Sequence, residues 1–181
     1  MKAGIALYLS MGPDHNLIIL WGLNDLRLRS IKLEKLKFFV GEAITSYFMA
    51  TWQMYSPFLT CEVKCCMDLE VADRQNAHSM TLAVRSVTKL FRLLNRENEL
   101  HREILAFSTS HGHRTVRIYS HYPIIKGKYT TFYRHLIRSF DFTELNGKEK
   151  WVAYKFTKNI YDIWMLTHLK RICSVIDEIG R

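Results

Sequence analysis

The chain has 181 residues, is 48% hydrophobic and 24% charged, and carries a net charge of +9. That composition excludes a disordered chain, and no apolar run reaches transmembrane length, so a single domain over residues 1–181 without a membrane span is expected. The four cysteines are too few for a disulfide framework and read as reduced thiols of an intracellular protein, in cytoplasm or nucleus.

The opening MKAGIALYLSMG has one lysine and an apolar stretch too brief for a convincing signal peptide. Residues 14–23 (DHNLIILWGL) hold a compact apolar run that predicts a strand, and 32–40 (KLEKLKFFV) space their apolar residues as a short amphipathic helix closed by Gly41. Residues 47–55 (YFMATWQMY) suit helix or strand equally. From Pro57 to Cys65 a strand is predicted. Leu59, Cys61, Val63 and Cys65 form an apolar face suited to a core, and Phe58, Thr60, Glu62 and Lys64 form the other. An acid and a base thus sit about 6.6 Å apart on one side, which is expected to be the solvated one. A zinc site from Cys61, Cys65, Cys66 and His78 is discounted, because adjacent strand residues point to opposite faces.

The strongest helical signal comes next. Asp73 is placed as an N-cap, and Ala77, Met80, Val84, Val87, Phe91 and Leu94 recur at steps of three and four. His78, Arg85, Lys89, Arg92 and Arg96 share another side, read as a solvated stripe. Residues 103–110, 114–122 and 129–138 predict three strands joined through HGH and KGK, an antiparallel meander. Residues 101–138 carry seven bases against Glu103 alone, a local charge of +6, with five of the eight histidines. Such a region attracts polyanions, nucleic acid first and an anionic surface or acidic protein second. In the middle strand Arg117, Tyr119 and His121 share a face that is expected to be exposed. With Arg114 and Arg134 they are the candidate nucleic-acid contacts. An ordinary solvated sheet carries the same mixture. The last third is helical, with Ile163, Leu166, Leu169, Ile172, Val175, Ile176 and Ile179 as its apolar side, Trp151 and Trp164 as packing anchors, and Gly180 as its end.

Pro13-Asp14 before the first apolar run, Glu62-Val63-Lys64 on a later strand and a helix with a polar residue near its start resemble the PD-(D/E)XK nuclease superfamily. The longer strings TCEVKC, DRQNAHSM, RIYSHYP, TTFYRH and FTKNIYDIW are similar to a fungal nuclease-like domain family without a settled function. The resemblance implies an α/β fold, with a mixed central sheet, an antiparallel meander and flanking helices, in the manner of a restriction-endonuclease-like core. It implies that Asp14, Glu62 and the Val63 carbonyl hold magnesium or manganese, that Lys64 is the catalytic base or electrostatic partner, and that Gln75 supports the site. The chemistry is self-consistent, since magnesium takes carboxylates, waters and substrate phosphate. Residues 1–13 contain no acid and 47 residues separate Asp14 from Glu62, so the N-terminus is shortened relative to that pattern and an insertion folds aside. Asp25 or Glu42 is the alternative to Asp14. Three functions are compatible with this pattern: a nuclease acting on DNA or RNA, a nuclease fold that binds nucleic acid without cutting, and a protein-interaction module with a basic sheet face. No small-molecule cofactor is expected.

Overall fold

The computed structural model describes residues 5–11, 17–23, 49–51, 54–64 and 69–179. The expected helix at 32–40, and Asp14, Asp25, Glu42, Cys65, Cys66 and Gly180, lie outside them. The described strands are β1 (Ile5–Met11), β2 (Leu17–Leu23), β3 (Met49–Thr51), β4 (Met54–Val63), β5 (Ala106–His111), β6 (Thr115–Lys126) and β7 (Tyr129–Asp141). They form one mixed sheet in the order β1-β2-β4-β5-β6-β7, with β3 also paired to β4. Every pair is antiparallel except β4–β5. β1 was not expected, and β3 resolves part of the ambiguous 47–55 segment as strand.

A parallel pair needs a crossover, and α1 (Leu69–Arg92) supplies it between β4 and β5. The apolar stripe predicted for this helix packs into the core through Met80, Val84, Val87 and Phe91. On the opposite face of the sheet run α2 (Val152–Asn159), a π turn (Ile160–Trp164) and α3 (Met165–Glu178). Val152, Ala153 and Phe156 cover Val116, Ile118 and Phe140, and Phe107 meets Phe156 and Trp164 edge-on at 5.5 and 5.0 Å. The expected α/β architecture, a mixed sheet flanked by helices, is what forms. No described helix is long and apolar enough to cross a membrane.

Two glycines are required by geometry. Gly127 has φ +56° in the two-residue turn between Lys126 and Tyr129, where an L side chain would be strained. At Gly22 a Cβ would fall 2.5 Å from Met54 Cγ and 2.9 Å from the Tyr55 carbonyl, so only glycine lets β2 approach β4 there. β6 runs on through Pro123, where sequence reading stops the strand. The β5 ladder ends at Ala106 opposite His121, so the missing N–H of Pro123 interrupts no strand pairing on that side, and its carbonyl accepts from Arg102 at 2.9 Å.

The C-terminal register differs from the sequence reading. Ile163 and Leu166, expected inside, are 68% and 43% exposed, and Trp151, expected as an anchor, is 55% exposed. The π turn adds a residue to one helical turn and rotates the helix beyond it. Ile160, Met165, His168, Ile172, Val175 and Ile176 therefore face inward. Trp164 is the anchor, packed on Phe58 and stacked with His168 at 4.5 Å.

Burial leaves two histidines neutral. His168 is pushed down to about 3 by burial and then by Arg171, and His121, bonded to Ser108 Oγ at 2.8 Å, to about 4 by burial and then by Arg134. Both have an ordinary value of 6.5, so as pH falls below that the unfolded chain takes up protons that the folded chain refuses. Stability is therefore lost from pH 6.5 down to about 4, by roughly 2 kcal/mol per histidine at pH 5. Thermal melts of the parent should drop on acidification over this window, and His168→Phe should flatten the slope. An equal slope in that variant would mean that His168 is already protonated in the fold.

Candidate active site

Glu62 and Lys64 stand at the C-terminal end of β4, between β2 and β5. Glu62 lies opposite Ile18 and Ser110, and Val63 opposite Leu17 and His111. The Lys64 N–H donates to the His111 carbonyl at 2.8 Å, extending the ladder one residue past the strand. The face expected to meet solvent is closed, while the expected core face is closed at Leu59 and only in part beyond it. Thr60, Glu62 and Lys64 are 1%, 2% and 2% exposed, whereas Cys61 and Val63 are only half-buried. The reason is α1, which lies across the face that single-strand alternation assigned to solvent.

The Lys64 ammonium sits 3.6 Å from Glu62 Oε2, and that oxygen accepts no hydrogen bond from the described residues. Burial pushes the Glu62 carboxyl above its ordinary value, and Lys64 offsets this only in part. On the other face, burial and then Glu62 push the Cys61 thiol up to about 12, which leaves it unreactive near neutrality. A buried pair without a full set of hydrogen bonds is expensive to keep, and an apolar pair of similar volume would fold at least as well.

Gln75, the residue implied as supporting the site, is exposed. Its neighbour Asn76 turns inward, 1% exposed, and its Nδ2 donates to the Thr109 carbonyl at 3.0 Å and to Ser110 Oγ at 2.9 Å. Asn76 Oδ1 accepts nothing from the described residues. The signal was in the spacing: Asn76 falls four residues before Met80 and four after Ala72, on the buried line, while Gln75 is rotated off it by about 100°.

Asp73 is not an N-cap, because the helix begins four residues earlier, at Leu69. It is 4% exposed, and its Oδ2 accepts from Arg117 Nη1 at 2.6 Å and from the Tyr119 hydroxyl at 2.9 Å. Arg134 donates to the Asp73 carbonyl at 2.8 Å and lies 4.9 Å from the centre of the Tyr119 ring. Burial and then the Asp73 bond raise the Tyr119 hydroxyl above its ordinary value. Of the five expected nucleic-acid contacts, Tyr119 and His121 are therefore buried under α1, Arg117 is held by Asp73, and Arg134 braces the same cluster. Arg114, its side chain 59% exposed, lies away from this cluster, paired with Asp141 at 3.0 Å and donating to Thr143 Oγ1 at 3.1 Å. The aromatic-basic face of the meander is thus a helix–sheet seam.

Arg134 and Arg138 would share a face of a regular strand. A bulge between Ile118 and Tyr119 leaves Ile137 unpaired, so Arg134 reaches Asp73 on the α1 side while Arg138 pairs with Glu149 at 2.5 Å on the other.

Among the described residues no group of three or more His, Cys, Asp or Glu side chains is placed to hold a metal. The orphaned, buried Glu62 Oε2 nevertheless suits one hard cation ligand, and Asp14, the implied second carboxylate, is outside the described residues. These features define an α/β domain with a buried acid–base pair at the carboxyl end of its parallel strand pair. The chain belongs to the family described as Domain of unknown function (DUF7924), which it matches over residues 18–176. No curated protein and no solved structure matches it.

Removing Arg117 strands the buried Asp73 charge, so Arg117→Met should cost about 3 kcal/mol in urea unfolding. Arg114→Ala, at an exposed pair, should cost less than about 1 kcal/mol. Equal small losses would mean that Asp73 is not held by Arg117 in solution.

Proposed function

We propose that the chain is a metal-dependent phosphodiesterase of polynucleotides, with a restriction-endonuclease-like core of the PD-(D/E)XK kind. The supporting observation is the buried Glu62–Lys64 pair, whose Oε2 lacks a hydrogen-bond donor among the described residues and whose ions are 3.6 Å apart. Buried, incompletely satisfied charges in a fold's interior cluster at functional sites. The β2–β4 register adds support. β2 begins at Leu17, opposite Val63, and Asp14 is three residues upstream, a tether of at most about 11 Å.

In this reading Glu62 Oε2, Asp14 and the Val63 carbonyl hold magnesium or manganese. The cation, when bound, polarises a phosphoryl oxygen and lowers the pKa of its water. The Lys64 ammonium, beside Glu62, stabilises the charge that develops on the phosphorus oxygens. Asn76 Oδ1, an acceptor without a donor among the described residues, takes the supporting role that the resemblance gave to Gln75.

One observation favours a second reading. With Glu62 and Lys64 each 2% exposed, a scissile phosphate meets them only if the surrounding chain opens, which suits a nuclease fold that binds nucleic acid without cutting. The interaction-module reading relied on a sheet face that α1 covers.

Incubation of single- and double-stranded DNA and RNA with magnesium or manganese tests the proposal. Cleavage should stop on chelation. Lys64→Ala should abolish it while metal and nucleic-acid binding persist, and Glu62→Gln and Asp14→Asn should lose metal binding too. Cleavage that survives Lys64→Ala would overturn the catalytic assignment. Binding without cleavage under any divalent ion would select the second reading.

A further inference from the structure

The segment Lys148–Lys158 presents a surface that its apolar periodicity does not explain. Val152, Ala153 and Phe156 take the inward side of α2 against Val116, Ile118 and Phe140. The helical repeat then turns Trp151, Tyr154 and Lys155 outward. Trp151 is 55% and Tyr154 61% exposed, and the two rings form a T-shaped pair at 6.2 Å. The Lys150 ammonium lies 5.5 Å from the Trp151 ring centre. Lys148, Lys150 and Lys155 are exposed and form no ion pair among the described residues, whereas the neighbouring acid, Glu149, is taken by Arg138.

This surface shares an end of the sheet with Glu62 and Lys64. Lys64 bonds the His111 carbonyl, the His111 ring lies 5.3 Å from Phe142, and the Phe142 N–H donates to the Arg114 carbonyl. Three strand spacings, roughly 14 Å, separate β4 from β7. Arg114, in the β5–β6 turn at this end, keeps its guanidinium 59% exposed while paired with Asp141 at 3.0 Å.

We propose that Trp151 and Tyr154 are a stacking platform for unpaired nucleotides, with Lys148, Lys150 and Lys155 on the adjoining phosphates and Arg114 leading the strand toward Glu62 and Lys64. This rests on the reading of a polynucleotide ligand and names its form, single-stranded. Aromatic faces accept any base, and unpaired cations beside them meet the backbone. In a duplex the bases already stack on one another and offer these rings no free face. An anionic membrane would also draw lysines, but it favours a continuous aliphatic face. Here both exposed rings carry a polar N–H or O–H group, and the aliphatic residues of this helix point into the core.

The test is binding of an end-labelled single-stranded deoxythymidine oligomer to the full chain by fluorescence anisotropy, with chelator present so that cleavage plays no part. The same oligomer paired with its complement, and phosphatidylserine vesicles, serve as competitors. The parent should prefer the single strand to the duplex. Trp151→Ala/Tyr154→Ala should weaken single-strand binding about tenfold or more with an unchanged circular dichroism spectrum, because both rings are exposed. Lys148→Ala/Lys150→Ala/Lys155→Ala should flatten the log–log salt slope by about 2. Should the aromatic double variant lose its fold, Trp151→Phe/Tyr154→Phe, which keeps both stacking faces, must bind within a few-fold of the parent, and the lysine variant must still show the flatter slope. Undiminished single-strand affinity in a folded aromatic variant overturns the platform, as does a parent that prefers duplex, or that binds vesicles through these residues and not the oligomer. Loss of cleavage in Lys64→Ala alongside unchanged binding in the aromatic variant would remove the platform and leave the enzymatic reading standing.

Discussion

The placement of α1 across the sheet controls the rest of the molecule. Its C-terminal half is an apolar contact, Met80 to Phe91 against the core, and its N-terminal half is a polar one, in which Asp73 and Asn76 meet Ser110, Arg117 and Tyr119. The apolar half supplies the burial that holds the helix down. The polar half then has to be satisfied in low dielectric, where each missing hydrogen bond is costly. Thr60 Oγ1, Glu62 Oε2, Asp73 Oδ1 and Asn76 Oδ1 all lack partners among the described residues along this seam. A purely structural interface would be expected to close such gaps, and their concentration beside one ion pair is what gives the seam its chemical interest.

The same seam turns basic residues into structural ones. Arg117 and Arg134 contribute to the positive charge of the meander, yet one neutralises Asp73 and the other caps its carbonyl and lies over Tyr119. The local charge of +6 therefore overstates what a polyanion meets there. Lys148, Lys150 and Lys155, which precede and lie in α2, add exposed cations that form no ion pair among the described residues, at the end of the sheet where β4 and β5 finish.

Local irregularities do much of this sorting. One unpaired residue at Ile137 sends Arg134 and Arg138 to opposite faces, and one extra residue in the π turn carries Trp164 and His168 inward while leaving Ile163 outside. Each alters the phase of a periodic pattern by a single residue, which is enough to exchange inside for outside over a whole segment.

Sequence by itself determined the elements with strong local signals. The alternation of 57–63 made a strand, the stripe from Met80 to Phe91 made a core-facing helix, and KGK made a hairpin turn at Gly127, because period and turn chemistry act over a few residues. It also brought out Glu62-Val63-Lys64 as a unit, since strand spacing alone puts the acid and the base on one side. Whether that side met water was not legible, because it depends on α1 returning across the strand from residues beyond it. For the same reason Asn76 passed unnoticed in favour of Gln75, and Arg117, Tyr119 and His121 were read as a surface. Burial is a property of pairs of elements, and a strand's own pattern records only that its two faces differ. The tertiary structure decided which of those faces was closed.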